Sequence, residues 1–216
     1  MIHDSTVQFI RNFLAAASLA VAVVLVAVAA DRPLATLGSD VRGHDPAEFD
    51  AWRQLETSHW IADGRDGARV IYVFTDPNCP YCNKLWSEAR PWVAAGKIQL
   101  RHVIVGILTP TSPGKAAALL ADKDPAAMLA AYESQNAFTV STALASGKPR
   151  PLADGLLKPL ANLALAQQVQ LAANEQLMAS LKLRATPAIV WRDEQGALHT
   201  RQGLPERGLA SILGAL

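Results

Sequence analysis

The sequence predicts an α/β fold, and three observations carry that prediction. Arg69-Val70-Ile71-Tyr72-Val73-Phe74-Thr75 is a short β-branched and aromatic run with the character of a buried strand. It leads into Cys79-Pro80-Tyr81-Cys82, which holds the only two cysteines in 216 residues, at a point where Pro80 suits the first position of a helix. Strand character returns at Ala185-Thr186-Pro187-Ala188-Ile189-Val190-Trp191, after a long stretch rich in Ala and Leu. Half the residues are apolar and the formal charge is +1. This fits one domain of ordinary size with an appendage, and it offers no electrostatic footing for nucleic acid.

Taken in order, the chain opens with a mixed segment carrying Arg11, and Phe13 to Ala30 then runs eighteen residues without a charge. Small residues at Ala27-Val28-Ala29-Ala30 fit a cleavable export signal, which is favoured; the run also just reaches the length of an uncleaved membrane anchor. Either outcome exports the chain beyond residue 30. Residues 31–66 read as a linker and a helix. Asp45-Pro46-Ala47-Glu48 supplies a cap, a proline at N1 and an acid at N3, and Phe49, Trp52 and Leu55 come next at helical spacing, to an end near Trp60. Ala62 to Gly67 forms the turn into the strand at Val70.

Residues 67–216 then form the main domain. Pro91 is expected to kink or end the helix that carries the cysteines. Ile98 to Ile107 reads as a second strand, with His102 in its middle as a structural residue without an evident acid partner. From about 112 to 182 a helical insertion is expected, with helices near 113–122, 125–136 and 163–181; Val169, Ala173, Leu177 and Leu181 mark a narrow apolar stripe. The strand opened by Pro187 is followed by a turn at Glu194-Gln195-Gly196, a partner strand over 198–202 and a closing helix over 204–216. A cis bond before Pro187 is compatible with its place and left open by the sequence.

Two thiols three residues apart in the first turn of a helix lie close enough to close a disulfide with little backbone movement. Helix-terminal N–H groups and the macrodipole favour a Cys79 thiolate, which makes Cys79 the candidate nucleophile and Cys82 the resolving thiol, one turn in and less exposed. A zinc site wants about four ligands, and neither a second cysteine pair nor histidines at ligand spacing are present, so no metal is assigned. A purely structural bridge across so short a loop would stabilise little.

Asp76-Pro77-Asn78-Cys79-Pro80-Tyr81-Cys82 together with Ala185-Thr186-Pro187-Ala188-Ile189 resembles the DsbG/DsbC type of periplasmic thiol:disulfide interchange proteins, with the Pro-Tyr dipeptide pointing to the DsbG side. Similarity extends through Gln54-Leu55-Glu56-Thr57-Ser58-His59-Trp60, Ala89-Arg90-Pro91-Trp92-Val93 and Gly203-Leu204-Pro205, over residues 50 to 216. The resemblance implies a thioredoxin-like fold with a helical insertion. It implies attack by Cys79, resolution by Cys82, redox tuning by Pro80 and Tyr81, and a cis-proline loop at Thr186-Pro187 that pairs with the client backbone. It implies no cofactor beyond the Cys79–Cys82 disulfide. The implied partners are exported proteins with cysteines and a membrane electron donor of the DsbD type.

One departure shapes the expectations. Only Asp31 to about Asp45 lies ahead of the first helix, too little for the N-terminal dimerisation domain of those proteins, so a monomer is favoured over a dimer, soluble in the periplasm or tethered through residues 13–30. A reductase or isomerase acting on protein cysteines is the leading expectation. A DsbA-like oxidase using the same residues in the other direction, a non-enzymatic chaperone and a metal carrier are the alternatives.

Overall fold

The computed structural model describes residues 46–216. The charge-free run over 13–30, the linker and the cap at Asp45 lie outside the described residues. The elements are α1 (Pro46–Glu56), β1 (Trp60–Asp63), β2 (Arg69–Thr75), α2 (Pro80–Ala94), β3 (Ile98–Ile104), α3 (Ser112–Leu120), α4 (Pro125–Ala145), α5 (Leu165–Ser180), β4 (Ala188–Arg192), β5 (Leu198–Gln202) and α6 (Ala210–Leu213).

The five strands form one mixed sheet in the order β1-β3-β2-β4-β5. β2 runs parallel to β3 and antiparallel to β4, so the strand that delivers the cysteines is central. Its side chains alternate with the period of two that a pleated strand imposes. Tyr72 and Phe74 point to one face, against Leu55, Val103, Leu177, Met178 and Val190. Ile71 and Val73 point to the other, against Leu85, Ala89, Leu100, Ile189 and Ile212. A third cluster lies within the insertion, where Ala116, Leu119, Leu129, Tyr132 and Leu171 pack on Ile61 and Ile104. With both faces covered, β2 is fully buried from Ile71 to Thr75, which accounts for its unbroken apolar run.

Several expectations about elements are corrected. α1 stops at Glu56, and the expected turn region holds a short edge strand, β1, antiparallel to β3. α2 runs through Pro91 to Ala94. A proline so near the end of a helix removes one hydrogen bond and leaves the last turn intact; Ala95 still donates to the Pro91 carbonyl at 3.0 Å. β3 ends at Ile104, and α4 extends to Ala145. α5 buries Leu171, Asn174, Leu177 and Met178, whereas Val169 is 57% exposed and Ala173 is exposed. A strict spacing of four drifts around a helix of 3.6 residues per turn, and the buried face includes an asparagine that an apolar pattern passes over. The closing helix is only Ala210–Leu213, because Gly208 at φ 74° and Gly214 at φ 85° adopt left-handed turns on either side.

Candidate active site

Cys79 caps α2. Its backbone is extended (φ −84°, ψ 111°), Pro80 occupies the first turn, and the sulfur itself accepts from the Cys82 N–H at 3.2 Å. Both cysteines are buried free thiols, each 2% exposed, so the expected difference in exposure between them is absent at the level of the whole residue. Across the site the Thr186–Pro187 bond is cis, and the Cys79 thiol donates to the Thr186 carbonyl at 3.3 Å. Residues 107 positions apart thus meet at one sulfur. Tyr81 lies on the first turn of α2 and is 44% exposed.

The two thiols are driven apart in acidity. Cys79 is held below its ordinary value, first by the side-chain hydrogen bond with Cys82 and against the effect of burial, with Thr186 and the amides of Cys82 and Tyr81 adding to it. Cys82 is pushed well up by burial, reinforced by the hydrogen bond and charge of Cys79 and by the charge of Glu133. Ionisation is thereby made easier at Cys79 and harder at Cys82.

Residues that the sequence does not single out hold this geometry. The Asp76 carboxylate accepts from the amides of Asn78 (2.8 Å), Ile107 (2.7 Å) and Leu108 (2.9 Å) and from Ser112 Oγ (2.8 Å). The Asn78 side chain accepts from Lys115 Nζ at 2.8 Å, and Lys115, fully buried, also donates to Tyr132 Oη and the Leu152 carbonyl and forms an ion pair with Asp154. Tyr132 Oη donates to the Pro77 carbonyl at 2.8 Å. On the opposite wall, the Gln202 side-chain oxygen accepts from the amides of Arg184 (2.6 Å) and Ala185 (3.0 Å), and Gly203 N–H donates to the Pro187 carbonyl at 2.7 Å. Asp76, next to the cysteine motif, is open to recognition as a turn-forming acid; Lys115 and Tyr132 leave no local signal.

His102 does have an acid partner. Its Nε2 lies 3.6 Å from Asp63 Oδ2, and its Nδ1 lies 2.9 Å from Thr75 Oγ1. Asp63 sits on the edge strand instead of in the expected turn, which brings it to His102 and to a two-bonded contact with Arg90. Burial works against its charge, yet His102 and Arg90 hold Asp63 down to about 2. The cluster belongs to the sheet interior and Arg90 side, so His102 keeps its structural reading. No group of three or more His, Cys, Asp or Glu residues with the geometry of a metal site occurs among the described residues.

Known proteins point the same way. The thioredoxin-like domain family matches residues 64–210, which includes the cysteine pair and the cis-proline. The chain belongs to the thioredoxin-like family. Within it, the sequence is 46% identical over 171 residues to the thiol:disulfide interchange protein DsbG of Pseudomonas aeruginosa, covering 78% of this chain and 60% of that protein. It is 41% identical over 169 residues to DsbG of Escherichia coli, covering 78% and 62%. The expected resemblance to the DsbG type is borne out, and the chain spans less than two thirds of the length of either relative. Among solved structures, a periplasmic thioredoxin-like protein from Salmonella enterica serovar Typhimurium superposes with a TM-score of 0.55 at 17% identity, over 80% of this chain and 97% of that one. The catalytic domain of Proteus mirabilis ScsC gives 0.54 at 20%, over 77% and 92%. These two support the thioredoxin-like fold itself.

Proposed function

We propose that this thioredoxin-like protein is a periplasmic thiol:disulfide oxidoreductase of the reductase or isomerase type, acting on cysteines of exported proteins. The observation that carries the reading is the Cys79 sulfur, capping α2 at 3.2 Å from the Cys82 amide and facing the Thr186 carbonyl at 3.3 Å. Helix-terminal N–H groups stabilise the attacking thiolate, and the neighbouring thiol stays protonated until it is needed. In this reading Cys79 attacks a client disulfide, a mixed disulfide forms, and Cys82 resolves it. The Thr186-Pro187 loop presents backbone to the client segment in the manner of an added strand, and Pro80 and Tyr81 tune the potential. The pair itself is the redox group, with no cofactor, and a membrane donor of the DsbD type returns it to the dithiol.

Periplasmic placement is supported by the charge-free run over 13–30 and by the DsbG relatives. Among the described residues no helix is long and apolar enough to cross a membrane. The test is trapping: Cys82→Ser should accumulate mixed disulfides with exported proteins, and Cys79→Ser should accumulate none. A Cys79→Ser protein that still reduced a model protein disulfide would sink the assignment. The direction of electron flow is read from the pair in cells, dithiol for a reductase or isomerase and disulfide for an oxidase.

A further inference from the structure

A cavity of about 620 Å³ lies between α2 and α4 and takes no part in the chemistry described so far. Tyr81, Asn83 and Ser87 line it from α2, and Val140, Ser141 and Leu144 from α4, at the three- and four-residue spacings that put side chains on one flank of a helix. Asn83 is 1% exposed, and its Nδ2 donates to the Glu133 main-chain carbonyl at 2.7 Å and to Glu133 Oε2 at 2.6 Å. Only the nitrogen of the amide can serve two acceptors, so its orientation is fixed, and Oδ1 is left without a donor among the described residues. Ser87 Oγ, one turn further along the same flank, is likewise buried and unpaired. A buried acceptor without a donor is costly, and two of them on one wall call for donors from outside the chain. The charged residues of the groove, Lys84 and Glu88, are paired with each other, so its walls present no uncompensated charge.

We propose that this groove receives the client segment next to the reactive cysteine: an uncharged stretch that seats apolar side chains on Val140 and Leu144 and gives backbone N–H groups to Asn83 Oδ1 and Ser87 Oγ. This rests on reading Cys79 as the residue that bonds to a client cysteine. Continuity with that bond selects the occupant. Tyr81 lies between the two cysteines in the chain, is 44% exposed and lines the groove, so a polypeptide tethered at Cys79 meets the groove at its mouth. The α2 wall from Tyr81 to Glu88 is two turns, about 10 Å along the helix axis, which about three residues of extended chain cover. An extended peptide supplies the N–H donors and turns alternate side chains to one side, which matches a wall of acceptors facing an apolar one. The start of the described chain is placed elsewhere: α1 packs through Leu55 with Tyr72 and Phe74, on the sheet face opposite the one that α2 covers through Leu85 and Ala89. The groove thereby favours clients whose cysteine has apolar, uncharged neighbours within about three positions.

The test uses two peptides with blocked ends, each with a central cysteine disulfide-bonded to 5-thio-2-nitrobenzoate and flanked on both sides by glycine and then two leucines in one peptide, two serines in the other. The Cys79 thiolate bonds to the peptide sulfur, and the electron pair of the broken S–S bond leaves with 5-thio-2-nitrobenzoate, whose colour gives the rate. The reduced full chain should react about tenfold faster with the leucine peptide. Ser141→Trp, and Ala145→Trp at the end of α4, fill the groove from exposed positions and should remove that advantage. Thr139→Trp, exposed on α4 but outside the groove, should keep it. N-methylation of the leucine amides removes the donors, keeps the apolar side chains and should cost about fivefold. Equal wild-type rates for the two peptides, an advantage that survives both groove-filling variants or is lost equally in Thr139→Trp, or one that N-methylation leaves intact overturns the proposal. An advantage that grows on dilution of the protein would assign the groove to a second copy of the chain and overturns it as well. Should the groove-filling variants not fold, the wild-type ratio and the N-methylated peptide decide. No release from either peptide removes the redox reading of Cys79 itself, an outcome distinct from equal release from both.

Discussion

The sheet around the cysteines and the insertion beneath them are built from different materials. β2 contributes Ile71, Val73 and Phe74, all without exposed surface, to hydrophobic clusters on both faces, with Thr75 and His102 as a buried polar pair beside them. The insertion instead buries Lys115, Glu133, Asn136 and Asn174, and three of these reach out of it. Lys115 meets Asn78, Glu133 meets Asn83, and Asn174 bridges His59 and the Ile104 carbonyl. Apolar packing is tolerant of small shifts, whereas a buried hydrogen bond is lost once its partner moves away. The difference teaches that the sheet carries the cysteines and the insertion fixes their position and electrostatic surroundings.

That comparison can be broken most sharply by separating chemistry from support. Cys79→Ser should take turnover of a model protein disulfide to background while leaving urea unfolding nearly unchanged, since a hydroxyl fits the same cap. Lys115→Met should do the reverse. It strands Asn78, Tyr132 and the Leu152 carbonyl without their donor, at a cost of about 3 kcal/mol in urea unfolding, with the cysteines still reactive. An unfolding midpoint equal to wild type would show that the insertion does not brace the cysteine loop.

Stability against pH should expose two carboxyls of opposite behaviour. Asp63 is lowered to about 2 from 3.8, so its contribution is present above pH 3.8 and is lost as pH falls through about 2. The size is about 2 kcal/mol, and Asp63→Asn should abolish that acid limb. Glu133 is raised to about 8 from 4.5, so its contribution is present below pH 4.5 and is lost as pH climbs through about 8. Glu133→Gln should flatten that decline. The smallest effect belongs to the sheet side: Gln202→Leu frees the amides of Arg184 and Ala185 at an exposed position and should cost less than about 1 kcal/mol. It should slow mixed-disulfide formation more than it lowers the thermal midpoint.

Local patterns made much of the architecture legible. The β-branched run over 69–75, the proline after Cys79 and the Glu194-Gln195-Gly196 turn each have a short-range cause, and each appears where its cause places it. The edge strand Trp60–Asp63 has no such cause. Only Ile61 of its four residues is buried, so it shows no alternation, and its strand identity comes from pairing with β3. The same holds for the site. Cys79, Cys82, Thr186 and Pro187 announce themselves by type and spacing, but a lysine or glutamate in an Ala-rich helix resembles a solvated residue until the fold supplies its partner. Lys115 finds Asn78 from 37 positions away and Asn83 finds Glu133 from 50.

Asp76 adds a consequence for dynamics. Its carboxylate closes the turn before Cys79, the chain leaving β3 and the start of α3 in a single knot. Segments so joined cannot open one at a time without leaving several donors unpaired. The amides of Asn78, Ile107 and Leu108 therefore report one shared opening event, and their hydrogen-exchange rates should fall together although Ile107 and Leu108 belong to exposed loop residues. Exchange at these three amides that differed by orders of magnitude would show instead that the segments open independently.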